Sequence, residues 1–472
     1  MSFQSLWELR AAFARSLSTM YGTEVPAYNT LVEVSTKVNQ EHLRQHGADA
    51  ERLGSISRVT AERHGAIRVG SERELSQVAR VFAAFGMHPV GFYDLRDAAS
   101  SAVPVVSTAF RPIDADELAK NPFRVFTSML AVEDPRFFDA QLQRELDDFF
   151  NRRELFGPEL LELADRAAAA GGLPDAEAKR LLELATRAFE LSAEPVDYDW
   201  YRRLEAISAV ASDIGGVTTT HINHLTPRVL DIDALYAGME ALGITMIDEI
   251  QGPPRWDGPD VLLRQTSFKA LGEKRMFRHS DGSVRPGELR VRFGEVEARG
   301  IALTPAGRDV YDRMVAEVDA RLAADADVVR QDVARTVWEE NLPNTEAELA
   351  AQGLAYFTFK PHPEVIAGRP AGPITLTELI VSGAAVPEPI VYEDFLPRSA
   401  AGIFQSNLTD GGTKNDAEQA TAYDIDRMSR IIGREVLDPN NLYQAQQDVS
   451  VTELAKDLGV EISPASAAIS SH

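Results

Sequence analysis

One short signature occurs twice in this chain. "ERHGAIRVG" sets His64 four residues before Arg68, and "HINHLTPRVL" sets His224 four residues before Arg228. Each copy is followed by a helix-like segment and then by β-rich segments, so the chain reads as a duplication of a βαβββ unit. After the first copy, Ser71 and Glu74 have capping-box spacing, and Leu75, Val78, Ala79 and Phe82 fall on one helical face. Gly86 suits the left-handed position at that helix's end. "MHPVGFYDL", "VPVVSTAFRP" and "PFRVFTSMLAV" supply the three strands. After the second copy, Ile232, Leu235, Met239 and Leu242 form a stripe ending at Gly243, followed by strand-like "ITMIDEI", "VLLRQTSFKAL" and "ELRVRFGEVEARG".

The organisation expected from this pattern is α+β. An N-terminal helical segment spans 1–60, the first βαβββ module 61–132 and the second 213–303. Between the modules, Leu, Ala, Glu and Arg at helical spacing over 133–212 predict a helical insert. Residues 304–472 add helices and strands, beginning with a helix capped by Thr304 with Pro305 at its first position. The closing "SPASAAISSH" reads as an unstructured tail.

Several function classes fall away. A net charge of −24 repels phosphate backbones and anionic bilayers, so neither nucleic acid nor membrane is expected as a partner. With no cysteine, thiolate zinc sites, iron–sulfur clusters and cysteine nucleophiles are excluded, and any metal must use His, Asp and Glu. The N-terminus reads as an amphipathic helix without the features of a signal peptide, and no apolar run reaches membrane-spanning length. A cytoplasmic location is expected. P-loop, H-E-x-x-H, dinucleotide-binding and nucleophile-elbow motifs do not occur.

Side chains alternate along a strand, so His64, Ala66 and Arg68 share one face, and His224, Thr226 and Arg228 share another. In "ELRVRFGEVEARG" the apolar positions Leu289, Val291 and Phe293 lead on the same face into Glu295 and Glu297. A carboxylate at the mouth of a core needs a counter-charge, and a divalent cation supplies one. Two imidazoles and one carboxylate leave adjacent coordination positions open, as in non-haem Fe(II) oxygenases; Mn(II), Co(II) and Zn(II) fit the same donors. Arg68 suits bidentate pairing with a substrate carboxylate. His221 rivals His224 but falls on the opposite strand face. Glu297 rivals Glu295 or serves as an acceptor that orients a histidine, and Arg228 has a structural ion pair as its alternative role. The remaining histidines have no matching context and read as surface or structural.

These residues carry a resemblance. "ERHGAIRVG", "TTTHINHLTPRVLDID", "LLRQTSFKAL", "RFGEVEARGIALTPAGR", "GLAYFTF" and "VYEDFLPRSAAGIFQSNL" closely resemble the bacterial 2-oxoadipate dioxygenase/decarboxylase family, across nearly the whole chain. The resemblance implies a vicinal oxygen chelate-like half-barrel built from the paired βαβββ modules. It implies His64, His224 and Glu295 as Fe(II) ligands, with Arg68, Arg398 and Ser399 at the substrate. It also implies conversion of 2-oxoadipate and O₂ to (R)-2-hydroxyglutarate and CO₂ in D-lysine breakdown. One departure stands out: Arg398 occupies a position of "LP-x-SAAG" where the family has a small apolar residue. The alternatives are a same-fold metal enzyme acting on another substrate and a non-catalytic, metal-dependent binder of acidic metabolites. The oligomeric state is left open.

Overall fold

The strands that carry the two histidines lie side by side. Strand Arg63–Val69 pairs antiparallel with His224–Pro227, with His64 opposite Thr226 and Ala66 opposite His224. From this seam the two halves of the chain unroll by one rule. In the first half, Arg63–Val69 runs parallel to Arg124–Leu130, which pairs antiparallel with Val105–Arg111, which pairs antiparallel with His88–Asp94. In the second half, Arg228 bridges Glu297 in parallel sense, Glu295–Arg299 pairs antiparallel with Leu263–Ser267, and Met246 and Gln251 bridge antiparallel to Phe268 and Gln265. The result is a vicinal oxygen chelate-like half-barrel made of paired modules, within an α+β chain. The computed structural model describes residues 3–47, 52–53, 63–97, 103–270, 272–289, 292–325, 327–362, 374–396, 414–415 and 418–463. Of the expected unstructured tail "SPASAAISSH", Ser463 instead ends a short strand, paired with Thr375, and the rest falls outside these residues.

Strand alternation separates two apolar layers. Ile67, Val69, Val125 and Phe110 face outward onto Leu75, Val78 and Phe82 of helix Glu72–Ala83. Ala66, Phe126, Ala109 and Leu130 face the other way, onto Leu142, Leu146 and Phe150 of helix Ala140–Arg152 and onto Val210 and Ile214 of helix Ala209–Gly215. Helices Ala140–Arg152 and Ala209–Gly215 therefore cover the same sheet face that carries His64 and Arg68, while helices Pro158–Ala170 and Asp175–Ala188 pack in the opposite layer.

Four local expectations are modified. Ser71 accepts from the Glu74 backbone N–H, but the Glu74 carboxylate accepts from Gly70 N at 2.7 Å and pairs with buried Arg153 at 2.8 Å, so half of the capping box is redirected into the insert. Leu242, expected on the apolar stripe, is 60% exposed beyond the last turn of helix Ile232–Ala241. "ITMIDEI" contributes one isolated bridge, at Met246, rather than a full strand, with a second at the following Gln251, at a sheet edge followed by Gly252, Pro253 and Pro254. "ELRVRFGEVEARG" is broken in two. Val284–Leu289 forms a hairpin with Glu273–Arg278, and the half-barrel strand begins only at Glu295. The break is anchored at Phe293, whose carbonyl oxygen lies 2.8 Å from the buried Tyr21 hydroxyl.

Beyond the half-barrel, Thr304 caps helix Pro305–Ala324, and strands Phe357–Pro361 and Ala385–Pro389 pair antiparallel. The chain then returns across the half-barrel through Ile390–Leu396, with Val391 bridging Ile301. Among the described residues, no helix is long and apolar enough to cross a membrane.

Candidate metal centre

The seam register brings His64 and His224 together because both point to the covered face, and their ring centroids stand 5.3 Å apart, edge to face. Glu295, first residue of its strand, reaches them from the second module. Its carboxylate oxygens lie 3.5 Å from His224 Nε2 and 3.8 Å from His64 Nδ1. Among the described residues, His64, His224 and Glu295 form the group of possible ligands whose donor atoms all lie within 4.8 Å of one another, and all three are buried.

The polar atoms of this trio are poorly served by protein partners. His64 Nε2, both ring nitrogens of His224 and Glu295 Oε1 are buried without a hydrogen bond. Burying such atoms is costly unless something else coordinates them. Burial lowers the pKa of both imidazoles, that of His224 well below its ordinary value, with His64 and Arg68 adding to the push on His224. Both rings are thus held neutral, the form that ligates. Burial and then the neighbouring Glu297 raise the Glu295 carboxyl well above its ordinary range, which is the signature of an anion lacking a counter-charge. The donor set therefore fits a divalent cation.

Glu297 shares the strand face of Glu295, two residues on, and has a different partner. Its Oε2 lies 3.3 Å from His64 Nδ1, while Arg299 grips both of its oxygens at 2.8 Å. Although burial pushes the Glu297 carboxyl up, the Arg299 guanidinium and His64 hold it well below the ordinary range. A fixed carboxylate on Nδ1 favours the tautomer that turns Nε2 toward a metal. Arg299 also donates to the carbonyl oxygens of Tyr392 and Asp394 at 3.0 and 2.7 Å.

Arg68 is buried on the same side and donates through Nη1 to Asp213. His221 does not join the trio: its Nε2 lies 3.1 Å from Asp213 Oδ1. Arg228, the second arginine of the repeated signature, diverges from Arg68. Its strand ends at Pro227, and its Nη2 donates to Leu53 O at 2.6 Å beside a separate cavity of about 330 Å³ that also contains Asp231 and Arg264. Arg398 and Ser399 lie outside the described residues.

Two contributors had no signal in the sequence. Asp213 comes from the short helix Ala209–Gly215, at the expected boundary between the insert and the second module. Phe395 comes from the returning C-terminal segment, and its ring centroid is 4.4 Å from that of His64 and 4.9 Å from that of Phe126. Flanking ion pairs seat this segment: Arg111 holds both oxygens of Asp394 at 2.8 and 3.0 Å, and Arg124 reaches Glu393 at 2.6 Å. The "VYEDFL" block hinted at a site segment only through the family resemblance.

Comparison with known proteins agrees with this fold. The profile of the 2-oxoadipate dioxygenase/decarboxylase family matches residues 13–407. A Mycobacterium tuberculosis protein named 2-oxoadipate dioxygenase/decarboxylase is 56% identical over 438 residues, covering 93% of this chain and 96% of that one. A Pseudomonas putida protein of the same name is 40% identical over 467 residues, covering 97% and 98%. The crystal structure of the hydroxyglutarate synthase from Pseudomonas putida in complex with 2-oxoadipate superposes with a TM-score of 0.80 at 37% identity, covering 98% of this chain and 100% of that one. With the profile matching most of the chain and relatives of that name at 56% and 40% identity over nearly its whole length, the chain belongs to the 2-oxoadipate dioxygenase/decarboxylase family.

Proposed function

We propose that this protein is a cytoplasmic Fe(II)-dependent enzyme that converts 2-oxoadipate and O₂ to (R)-2-hydroxyglutarate and CO₂, a step of D-lysine breakdown. One observation carries the reading: two neutral imidazoles and a carboxylate converge in a buried spot where their donor atoms have no adequate protein partners. Fe(II) bound by His64, His224 and Glu295 would supply a chelation point for a 2-oxo acid and a means of activating O₂.

The chain's own residues do the rest. Glu297, itself clamped by Arg299, orients the His64 ring. Arg68 pairs with a carboxylate of the diacid and turns the keto acid to present one face. Phe395 packs on His64 and Phe293 on His224, with Phe126 behind Phe395, and these rings exclude water from the reacting carbon. Arg398 and Ser399, outside the described residues, are assigned to the substrate on the family resemblance. The stoichiometry closes on the substrate alone, since a six-carbon oxo diacid and O₂ contain every atom of the five-carbon hydroxy diacid and CO₂.

The test is anaerobic loading with Fe(II), addition of 2-oxoadipate, then air, with O₂ uptake, CO₂ release and chiral product analysis measured together. Equimolar O₂ loss, CO₂ and (R)-2-hydroxyglutarate are expected. Binding of the keto acid without O₂ uptake would reduce the protein to a metal-dependent binder.

A further inference from the structure

Asp213 is a fully buried carboxylate that no step above employs. It lies in helix Ala209–Gly215, which straddles the expected boundary between the insert and the second module and precedes that module's first strand, and the surroundings fix its place closely. Ser208 caps the helix by accepting from Val210 N at 3.1 Å. Trp200 Nε1 donates to Gly215 O at 2.7 Å, and Arg153 Nη1 donates to Ile214 O at 2.6 Å. A Cβ on Gly215 would come within 2.9 Å of both Leu146 and Leu204, so the glycine lets the helix seat against them.

So placed, the Asp213 carboxylate meets three side chains. Oδ2 accepts from Arg68 Nη1 and, at 2.8 Å, from Asn223 Nδ2, while Oδ1 lies 3.1 Å from His221 Nε2. The backbone of Arg68 is secured as well, since Thr220 Oγ1 donates to its carbonyl oxygen at 2.6 Å. An arginine side chain has several rotatable bonds, and a guanidinium clamped at one corner to a rigid carboxylate loses most of that freedom before any ligand arrives.

We infer that Asp213 is the positioning residue for Arg68, so that helix Ala209–Gly215, through this one carboxylate, sets the enzyme's affinity for its diacid substrate. This rests on the reading of Arg68 as the group that binds a substrate carboxylate. Asp213 itself touches neither substrate nor metal. Its removal should weaken substrate binding while leaving the donor trio intact. It also accounts for His221, which supports the far oxygen of Asp213 and belongs to the same positioning unit.

The experiment compares Asp213→Asn, Asp213→Glu, Arg68→Lys and the Asp213→Asn/Arg68→Lys double variant in the Fe(II)-loaded full chain. KM and kcat for 2-oxoadipate are read alongside Fe(II) affinity. Asp213→Asn should raise KM about tenfold or more, with kcat changed less than about twofold and Fe(II) affinity unchanged. Asp213→Glu should recover part of the loss, and the double variant should be no worse than Arg68→Lys alone. An unchanged or lowered KM in Asp213→Asn, or a parallel fall in kcat and Fe(II) affinity, overturns the inference. If Arg68→Lys itself leaves KM unchanged, the underlying reading of Arg68 fails instead. Should Asp213→Asn not fold, His221→Gln takes its place: a smaller rise in KM supports the inference, and no change defeats it.

Discussion

Arg299 holds Glu297 by two parallel hydrogen bonds of 2.8 Å, and Glu297 faces His64 Nδ1 at 3.3 Å, so a chain of three buried groups ends on a possible metal ligand. The two charges neutralise each other while the carboxylate orients the ring. Replacing Glu297 by Gln keeps its shape but removes the anion. Fe(II) affinity should fall roughly 10- to 100-fold. Stability should also drop, by about 3 kcal/mol or more, because Arg299 is left buried without its counter-charge. Metal titration and denaturant unfolding check the two effects separately.

Alanine variants discriminate among the histidines. His64→Ala and Glu295→Ala should each lose bound Fe(II) and turnover, since each removes one of three donors. His221→Ala should retain Fe(II), because its ring faces Asp213 rather than the trio. Metal-to-protein ratios after gel filtration decide it, and metal loss in His221→Ala alone would overturn the ligand assignment.

The Asp213 ion pairs carry a pH signature. Burial alone would raise this carboxyl, but His221 and Arg68 outweigh it and lower it to about 2. An unfolded Asp titrates near ~3.9. The associated stability is therefore fully present above pH ~4 and lost as pH falls through about 2, and it amounts to roughly 2 kcal/mol. The stability gap between the parent and Asp213→Asn should shrink by that amount between pH 5 and 2, read by unfolding at several acidic pH values.

Phe395→Ala should remove the ring packed on His64 and Phe126. A loss of about 3–5 kcal/mol is expected for truncating a buried Phe. With water admitted beside the metal, O₂ consumption should exceed hydroxyglutarate formation. Simultaneous electrode and product measurements test this, and a ratio that stays at one would show that the ring serves packing alone.

What the sequence determined by itself was the duplicated unit and a short set of candidate ligands, with His221 and Glu297 still standing as rivals. A strand's two-residue period and a repeated His-x-x-x-Arg put His64, Arg68 and His224 within reach of local reasoning, and the apolar run into Glu295 did the same for the carboxylate. Local pattern misled at Arg228, because spacing cannot show that the strand stops at Pro227 while its counterpart continues through Arg68 to Val69. It also ran one strand through the 292–294 break, where a side chain from the N-terminal helix, Tyr21, anchors the chain. Asp213 and Phe395 were decided only by tertiary structure. Phe395 reaches the site from a segment far from the histidines in sequence, whereas Asp213 stands eleven residues before His224 and is turned toward Arg68 by the packing of its helix against remote segments. Such interactions between remote segments leave no period in the amino-acid sequence.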